Sequence, residues 1–420
     1  MNDLKIVIRG QLSCQVAHWT AAVSRLQNME AMASAGAWNN LEQYLGVSIR
    51  QHLIEVVNHL KRQANLLYAA LDAASSLSDL EAVQRQLLLF RKQYLRAETT
   101  LDFYSDAINT RTNPTITGLL KACDILAYRS MANILDQLGK KIPVVLTYLD
   151  KGLGASILKA GLRLWDLISQ SPVAAIKIAR HNLQRPTAII HEAGHQVAHI
   201  TSWDKELGSV LKEELKKIST DLAEVWVIWA SEIAADAFAF VNTGFASVAA
   251  LRTVLAGETD LVLRHIPGDP HPISYIRILL CMEMCRQSYG NGPWDELAIA
   301  WTHQYPINKA ITDTESLIKT SLPLLQNIAD IILHKPMQVF RSRALSSLID
   351  PSRVSPKALE ELEQTRGIAL YTSMHWIWTE ALRLLALTGL RTEIMPEQAT
   401  ELCKQQEIWM MRLGGAIQAA

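Results

Sequence analysis

One segment constrains the fold more than any other: residues 222–241, LAEVWVIWASEIAADAFAFV, are apolar on almost every side of a helix. A helix of this composition must be buried. It nevertheless carries Glu224, Glu232 and Asp236, which the middle of a bilayer would penalise heavily. We therefore expect a helix inside a globular core whose carboxylates have partners, because an uncompensated buried charge is costly.

Composition and charge exclude several classes of protein. The 420 residues suit two or three domains, and 49% hydrophobic with 20% charged residues excludes wholesale disorder. The 41 basic and 41 acidic residues give no basic excess, so we expect no nucleic-acid binding. Five scattered cysteines, no signal-peptide pattern and no run of 18 apolar residues predict a cytoplasmic protein without a membrane span.

Two runs of apolar residues, within 53–71 and 80–108, recur at alternating steps of three and four. This heptad spacing predicts two long helices. Ser78 and Glu81 predict a capping box at the start of the second. Such helices fold back as an antiparallel hairpin, which either buries only its own seams or also docks a partner or a second copy.

The middle of the chain has strand-like patterns. Residues 143–149 and 174–180 are β-branched and apolar, which predicts two strands. Residues 157–165 alternate as in a strand, although 157–168 also fit a helix. Beyond about residue 300 the spacing is helical again, with breaks expected at the prolines Pro336, Pro351 and Pro356.

The segment HEAGH at 191–195 carries the chemistry. On a helix, His191 and His195 lie four residues apart on one face and can bind one zinc ion. Glu192 directly follows His191 on the helix, where it can take a proton from a metal-bound water instead of binding the metal. The opposite, core side carries Gly194, which lets a second backbone come close, together with Ile190, Val197 and Ala198.

A catalytic zinc needs a third protein ligand. A metzincin has its third histidine at the position of Thr201, so that pattern is not met. His199 is a poor third ligand, because a straight helix that already supplies two ligands cannot easily place a third on another side of the ion. We expect Glu232 to be the ligand. Asp236, on the same face, would orient a ligand histidine or pair with an arginine. The alternative is that both carboxylates pair with structural Lys or Arg residues.

The segment GDPHP at 268–272 is a stiff polar loop before a helix expected at 273–285. His271, between two prolines, suits a donor to the oxyanion that forms when water attacks an amide, or alternatively a helix cap. Arg277 is a natural partner for Asp236. Cys281 and Cys285 have metal-ligand spacing, but their apolar neighbours favour buried thiols.

Three ordered blocks, HEAGH at 191–195, EIAADAFA at 232–239 and HPxxxxRI at 271–278, resemble the gluzincin metallopeptidases, and within them the CAAX prenyl endopeptidase and HtpX-type group. The resemblance implies zinc ligands His191, His195 and Glu232. It implies a general base at Glu192, a transition-state histidine at His271, an outer Asp236 and a structural Arg277.

The resemblance covers about a fifth of the chain. It does not imply prenylated or membrane substrates, since no spanning helix is visible, and Ile276 stands where the family often has an acidic residue. The predicted fold is α+β and predominantly α-helical. We expect a helical hairpin domain at 1–112, a zincin-like metallopeptidase core at 113–300 and a C-terminal helical region at 301–420.

The sequence thus predicts a zinc metalloendopeptidase that acts on a peptide or protein substrate. An edge strand at 154–162 would align the peptide by β-augmentation. Two alternatives stay open: a non-catalytic zincin-like scaffold that binds a partner through the hairpin, and a zinc hydrolase of a non-peptide bond.

Overall fold

The computed structural model of the chain describes residues 2–152, 155–158, 171 and 173–415. It is predominantly helical with one small sheet, which confirms the predicted α+β, mainly α class. The chain divides into two compact units: Met1–Asn113 with Ala160–Ala175, and Pro114–Lys159 with Ile176–Ala420.

In its described residues, the first unit contains four α-helices: α1 (Asn2–Leu26), α2 (Ala35–Leu45), α3 (Ile49–Ala73) and α4 (Leu77–Thr110). Three residues join α3 to α4 and the two pack together, so they form an antiparallel pair. Every residue of both heptad runs is buried. The helix α1 packs on both, and its Lys5 and Arg9 donate to the carbonyl oxygens of Ser75 and Ala74. The docking role of the hairpin stays a prediction.

The capping box of α4 lies two residues earlier in the chain than the sequence predicted. The helix α4 begins at Leu77, and the Ser76 hydroxyl accepts from the Asp79 N–H at 3.1 Å. The Asp79 carboxylate accepts from the Ser76 N–H at 2.8 Å. Ser78 and Glu81 are therefore already inside the helix. The run SSLSDLE at 75–81 offers two pairs of a serine and an acidic residue three positions later, and Asp79 also accepts from the Ser75 N–H at 2.8 Å, a further bond that favours the earlier start.

The second unit contains the remaining described helices and most of a small sheet, whose last strand in the chain begins two residues before this unit resumes at Ile176. The strands are β1 (Val145–Leu149), β2 (Ser156–Leu158) and β3 (Ala174–Ile178). The helices are α5 (Pro114–Leu135), α6 (Ala188–Thr201), α7 (Trp203–Leu215), α8 (Thr220–Thr243), α9 (Phe245–Leu255), α10 (Thr259–Val262), α11 (Ser274–Tyr289), α12 (Pro293–Gln304), α13 (Thr312–Ser321), α14 (Leu325–His334), α15 (Leu345–Leu348), α16 (Pro356–Arg366), α17 (Ala369–Thr372), α18 (Met374–Thr379), α19 (Ala381–Ile394) and α20 (Ala399–Gly415).

The sheet has the strand order β1-β3-β2. It confirms the strands predicted at 143–149 and 174–180 in slightly shorter form. Of the residues predicted to alternate at 157–165, the first two belong to β2, and those from 159 onward lie outside the described residues. The edge strand predicted at 154–162 is likewise described only at 155–158.

The helix α8 is the centre of the second unit, and α6, α7, α9, α11 and α19 all pack on it. Its second half is buried on nearly every side, as its composition predicts, whereas its first half has an exposed face. Glu224 lies on that exposed face and pairs with Lys212 at 2.6 Å. Only Glu232 and Asp236 are buried carboxylates of this helix.

The helices α6 and α8 meet backbone to backbone at Gly194. A Cβ atom at this position would lie 2.9 Å from Ala235 Cα and 3.1 Å from the Ala235 carbonyl oxygen. This confirms the prediction that Gly194 lets the backbone of a second helix come close to α6. The rest of the predicted core side of α6, Ile190, Val197 and Ala198, is buried.

The C-terminal region is more broken than its apolar spacing suggests. Residues 359–390 extend over α16, α17, α18 and α19 rather than one helix. Pro356 occupies the first turn of α16, where its missing N–H costs nothing, and the Ser355 hydroxyl accepts from the Ala358 N–H.

Within the residues that the structure describes, we find no helix whose length and hydropathy would let it span a bilayer.

We predict that Gly194→Ala lowers the free energy of unfolding by about 1–3 kcal/mol, since the added methyl forces two backbones apart. Urea denaturation measures the change. Gly208→Ala is the matched control: Gly208 of α7 also faces α8, but its Cβ would lie 3.5 Å or more from its neighbours. That variant should be neutral or more stable by up to about 1 kcal/mol. Equal losses in both variants would contradict the close contact.

Candidate metal centre

The helix α6 presents two imidazoles on one face. The rings of His191 and His195 lie 4.7 Å apart between centroids and nearly perpendicular to each other, at 86°. The helical rise brings residues i and i+4 together in this way. Both side chains are largely shielded from solvent.

The helix α8 brings Glu232 to the same point. Its Oε1 lies 3.1 Å from His195 Nε2, and its Oε2 lies 3.5 Å from His191 Nε2. Each of the three residues offers one ligand atom, and these atoms lie within 4.8 Å of one another. The three side chains form a largely buried group that could hold a metal ion.

A partner for each imidazole lies on the side away from Glu232. Asp236 Oδ1 lies 2.9 Å from His191 Nδ1, and Ser231 Oγ lies 3.4 Å from His195 Nδ1. In a neutral imidazole, a carboxylate beside Nδ1 favours the proton on that nitrogen and leaves Nε2 as the electron-pair donor. Both histidines therefore direct Nε2 toward Glu232.

Arg277, from α11, connects the two buried carboxylates of α8. Its Nε and Nη2 donate to the two oxygens of Asp236 at 2.6 and 2.8 Å. The same Nη2 lies 2.9 Å from Glu232 Oε2. All three side chains are buried, so this guanidinium is the positive charge that the carboxylates of α8 require.

The pKa values follow from this packing. Burial would raise the pKa of Asp236 and of Glu232, but Arg277 and His191 hold both below their ordinary values. Burial would lower the pKa of His191, but Asp236 and Glu232 raise it to about 10. The pKa of Arg277 is raised despite burial, chiefly by Asp236.

Glu192 lies beside the three ligand candidates without belonging to the group. It is buried, and it lines the same cavity as His191 and His195. Burial raises its pKa, and the two histidines offset part of that rise. A carboxylate in this setting is a stronger base than one in water.

The loop before α11 places His271 at the cavity. Its Nε2 lies 3.7 Å from Glu232 Oε1, and the side chain is 63% exposed. Its Nδ1 lies 2.6 Å from Asp269 Oδ1, which also accepts from the His271 backbone N–H at 2.9 Å. Asp269 thus holds the ring through Nδ1 and fixes which way it faces.

A cavity of about 490 Å³ opens on these residues. His191, Glu192, His195, Glu232 and His271 line one part of it. The helix α9 lines another part with apolar side chains, and β2 contributes Ser156 and Ile157. The ligand group therefore lies against a space large enough for a small ligand or part of a chain.

Other candidates lie outside the ligand group. His199 is exposed one turn further along α6, and Thr201 is the last residue of that helix. Ser202 then turns the chain with a positive φ of 63°. Cys281 and Cys285 are buried, and burial raises the pKa of both thiols well above the ordinary value, which agrees with their interpretation as core residues.

Sequence reasoning missed three features of the site. Ser231 directly precedes Glu232, yet a serine in an apolar helix gives no sign of what it contacts. Asp269 lies two residues before His271, and that Asp-x-His spacing was the available signal. The apolar residues of α9 that line the cavity cannot be told from core residues in the sequence.

Comparison of the chain with models of protein families, with curated proteins and with solved structures finds no match.

We predict that Arg277→Met lowers the free energy of unfolding by about 3–5 kcal/mol, because Asp236 and Glu232 lose their shared cation while still buried. Arg286→Met on the same helix is the control. Arg286 is 41% exposed and pairs with Asp295, so its loss should cost at most about 1 kcal/mol.

A double variant, Arg277→Met with Asp236→Leu, should recover part of that loss because fewer buried charges stay unpaired. Denaturation of metal-free protein at fixed pH makes the comparison. An Arg277→Met variant as stable as Arg286→Met would show that Arg277 does not neutralise these carboxylates.

Proposed function

We propose that this protein is a zinc-dependent metallopeptidase with a zincin-like core in its second unit. The observation that carries the proposal is the convergence of His191, His195 and Glu232 beside the buried carboxylate of Glu192, all lining one cavity. The three sequence blocks that resemble the gluzincin metallopeptidases supply exactly those side chains plus His271, Asp236 and Arg277.

The donor set fits zinc. Two imidazole nitrogens and one carboxylate oxygen are a set found in catalytic zinc sites, where three protein ligands leave one coordination position for water or substrate. His191, His195 and Glu232 would hold the ion. When bound, zinc supplies Lewis-acid chemistry, because it lowers the pKa of water and polarises a carbonyl group.

Glu192 is the general base of the proposed reaction. It accepts a proton from the attacking water as the oxygen bonds to the peptide carbonyl carbon. It then returns the proton to the leaving nitrogen as the C–N bond breaks. Its burial supports this role, because a raised pKa brings a carboxylate closer to the pH at which it must both take and give a proton.

His271 donates a hydrogen bond to the oxyanion. Its Nε2 faces the ligand group at the edge of the cavity, and Asp269 on its Nδ1 fixes the ring. A donor held in place before the reaction stabilises developing charge without reorganisation. Pro270 and Pro272 restrict the loop on both sides of the histidine.

The cavity supports a peptide as substrate. Its apolar part, formed by Val248, Leu251, Val254 and Leu255 of α9, suits an apolar side chain next to the bond to be cleaved. The short strand β2 at the same cavity offers main-chain groups for an extended peptide.

We predict that Glu192→Gln keeps one zinc per chain but lowers kcat for peptide cleavage by about 10²–10⁴-fold, since only the proton acceptor is lost. Metal content by atomic absorption and turnover of a mixed peptide library are the measurements. His195→Ala should lose both metal and activity, whereas His199→Ala, on the same helix, should keep both.

The alternatives give different results in the same assay. Stoichiometric zinc with no cleavage of any peptide would favour a scaffold, and turnover of small esters or amides alone would favour a non-peptide hydrolase. Protein that holds no metal, and that His191→Ala does not change, would contradict every zinc-based function.

We predict that His271→Ala lowers kcat by about 10²–10³-fold with zinc content unchanged, since one oxyanion donor is lost. Asp269→Asn should lose less, because the ring stays but is held less firmly. Steady-state kinetics separate kcat from KM. A change confined to KM would show that His271 binds substrate without stabilising the oxyanion.

A further inference from the structure

A second cavity, of about 160 Å³, lies in the same unit and has a different character. It is lined by α5, the end of α8, the 3₁₀ turn Pro351–Val354 and the start of α19. Three guanidinium groups, those of Arg129, Arg353 and Arg383, line it together with one carboxylate, that of Glu380.

The carboxylate is already paired with one of the arginines. Arg383 Nη1 lies 3.2 Å from Glu380 Oε2. The other nitrogens of Arg383 donate to the carbonyl oxygens of Arg353 and Ala358 at 2.9 and 2.8 Å. Arg383 is therefore a structural residue that holds the wall of the cavity.

The other two arginines have little to neutralise them. Arg129 reaches the Thr379 carbonyl oxygen at 3.4 Å and lies over the ring of Trp378 at 5.3 Å. Burial lowers the pKa of Arg129, and Glu380 only partly opposes this. The side chain of Arg353 has no hydrogen bond or ion pair to any residue that the structure describes.

Two amides complete the polar lining. Asn133 Nδ2 donates to Asn242 Oδ1 at 2.9 Å, and Asn242 Nδ2 donates to the Phe238 carbonyl oxygen. Because Asn133 Nδ2 carries two hydrogens and one is used, it retains a donor. The cavity thus presents cationic and neutral donors together, and its one carboxylate is paired with Arg383 in the wall.

We propose that this cavity binds a phosphate group, through Arg129 and Arg353 with Asn133 as a further donor. Guanidinium groups match the oxygens of phosphate with charge-assisted hydrogen bonds. A volume of about 160 Å³ is well below that of sites for larger organic ligands, roughly 300 Å³ and above, so it suits a compact oxyanion.

This site is separate from the metal centre. Asn242 lies ten residues after Glu232 on α8, which places them roughly 15 Å apart along the helix. Phosphate binding therefore does not depend on the proposed peptidase function, and either can fail without the other.

The test is a titration of the full chain with inorganic phosphate, followed by calorimetry and by thermal unfolding, at constant ionic strength set with chloride. We expect saturable binding and a rise in Tm with phosphate but not with chloride or acetate. Arg129→Gln and Arg353→Gln should each weaken binding by about tenfold or more, as expected for loss of a charge-assisted hydrogen bond.

Arg264→Gln is the control, because Arg264 is an exposed arginine paired with Asp260 and should bind phosphate as the wild type does. Arg353 is exposed, so its variant should unfold as the wild type does without phosphate. Glycerol 3-phosphate in place of phosphate distinguishes a phosphorylated small molecule from the free ion, according to which binds more tightly.

Three outcomes would overturn the proposal. One is unchanged phosphate affinity in a folded Arg353→Gln variant. Another is equal stabilisation by acetate, which would show that the site does not select a tetrahedral anion. The third is loss of binding after treatment with a chelator, which would place the phosphate at the metal centre.

Discussion

The guanidinium of Arg277 is the interaction on which the core of the second unit depends. It lies between two carboxylates on adjacent turns of a buried helix, within 2.9 Å of each. Without it, Asp236 and Glu232 would be unpaired negative charges in an apolar interior, which proteins do not tolerate at low cost. With it, α8 can be both a largely buried, apolar helix and the source of a carboxylate that could hold a metal ion.

The same charged side chains also determine how the imidazole rings of the candidate metal centre are oriented. Arg277 holds Asp236 in place, and Asp236 lies beside Nδ1 of His191. The other nitrogen of that ring, Nε2, then faces Glu232. His195 has only the hydroxyl of Ser231 behind it. The two imidazoles therefore have unequal electrostatic support, and His191 is the more firmly oriented of the two.

Much of this arrangement could be predicted from the sequence, because it depends on helical periodicity and on the high cost of burying an unpaired charge. The i, i+4 spacing of His191 and His195 fixes their common face, and the burial of α8 obliges Glu232 and Asp236 to have partners. The heptad runs of α3 and α4 fix their buried faces in the same way. The sequence also offered Arg277 as a partner for Asp236, and the two side chains lie 2.6 Å apart.

The remainder depends on contacts between distant segments, which carry no periodic signal. Nothing in the sequence orients Ser231 toward His195 or sets α9 against the cavity. The start of α4 differed from expectation by two residues because Ser76 and Ser78 each precede an acidic residue by three positions. Pro356 begins α16 and Gly367, with a positive φ of 53°, ends it, whereas no proline or glycine marks the breaks from α17 to α19.

The approach of Gly194 to Ala235 has a consequence for how this chain can vary. A Cβ atom at position 194 would lie 2.9 Å from Ala235 Cα and 3.0 Å from Phe238 Cβ, so α6 and α8 approach more closely there than any residue with a side chain allows. Any replacement of this glycine therefore moves α6 away from α8, and with it both histidines away from the glutamate. The spacing of these three side chains thus depends on the absence of a side chain at position 194.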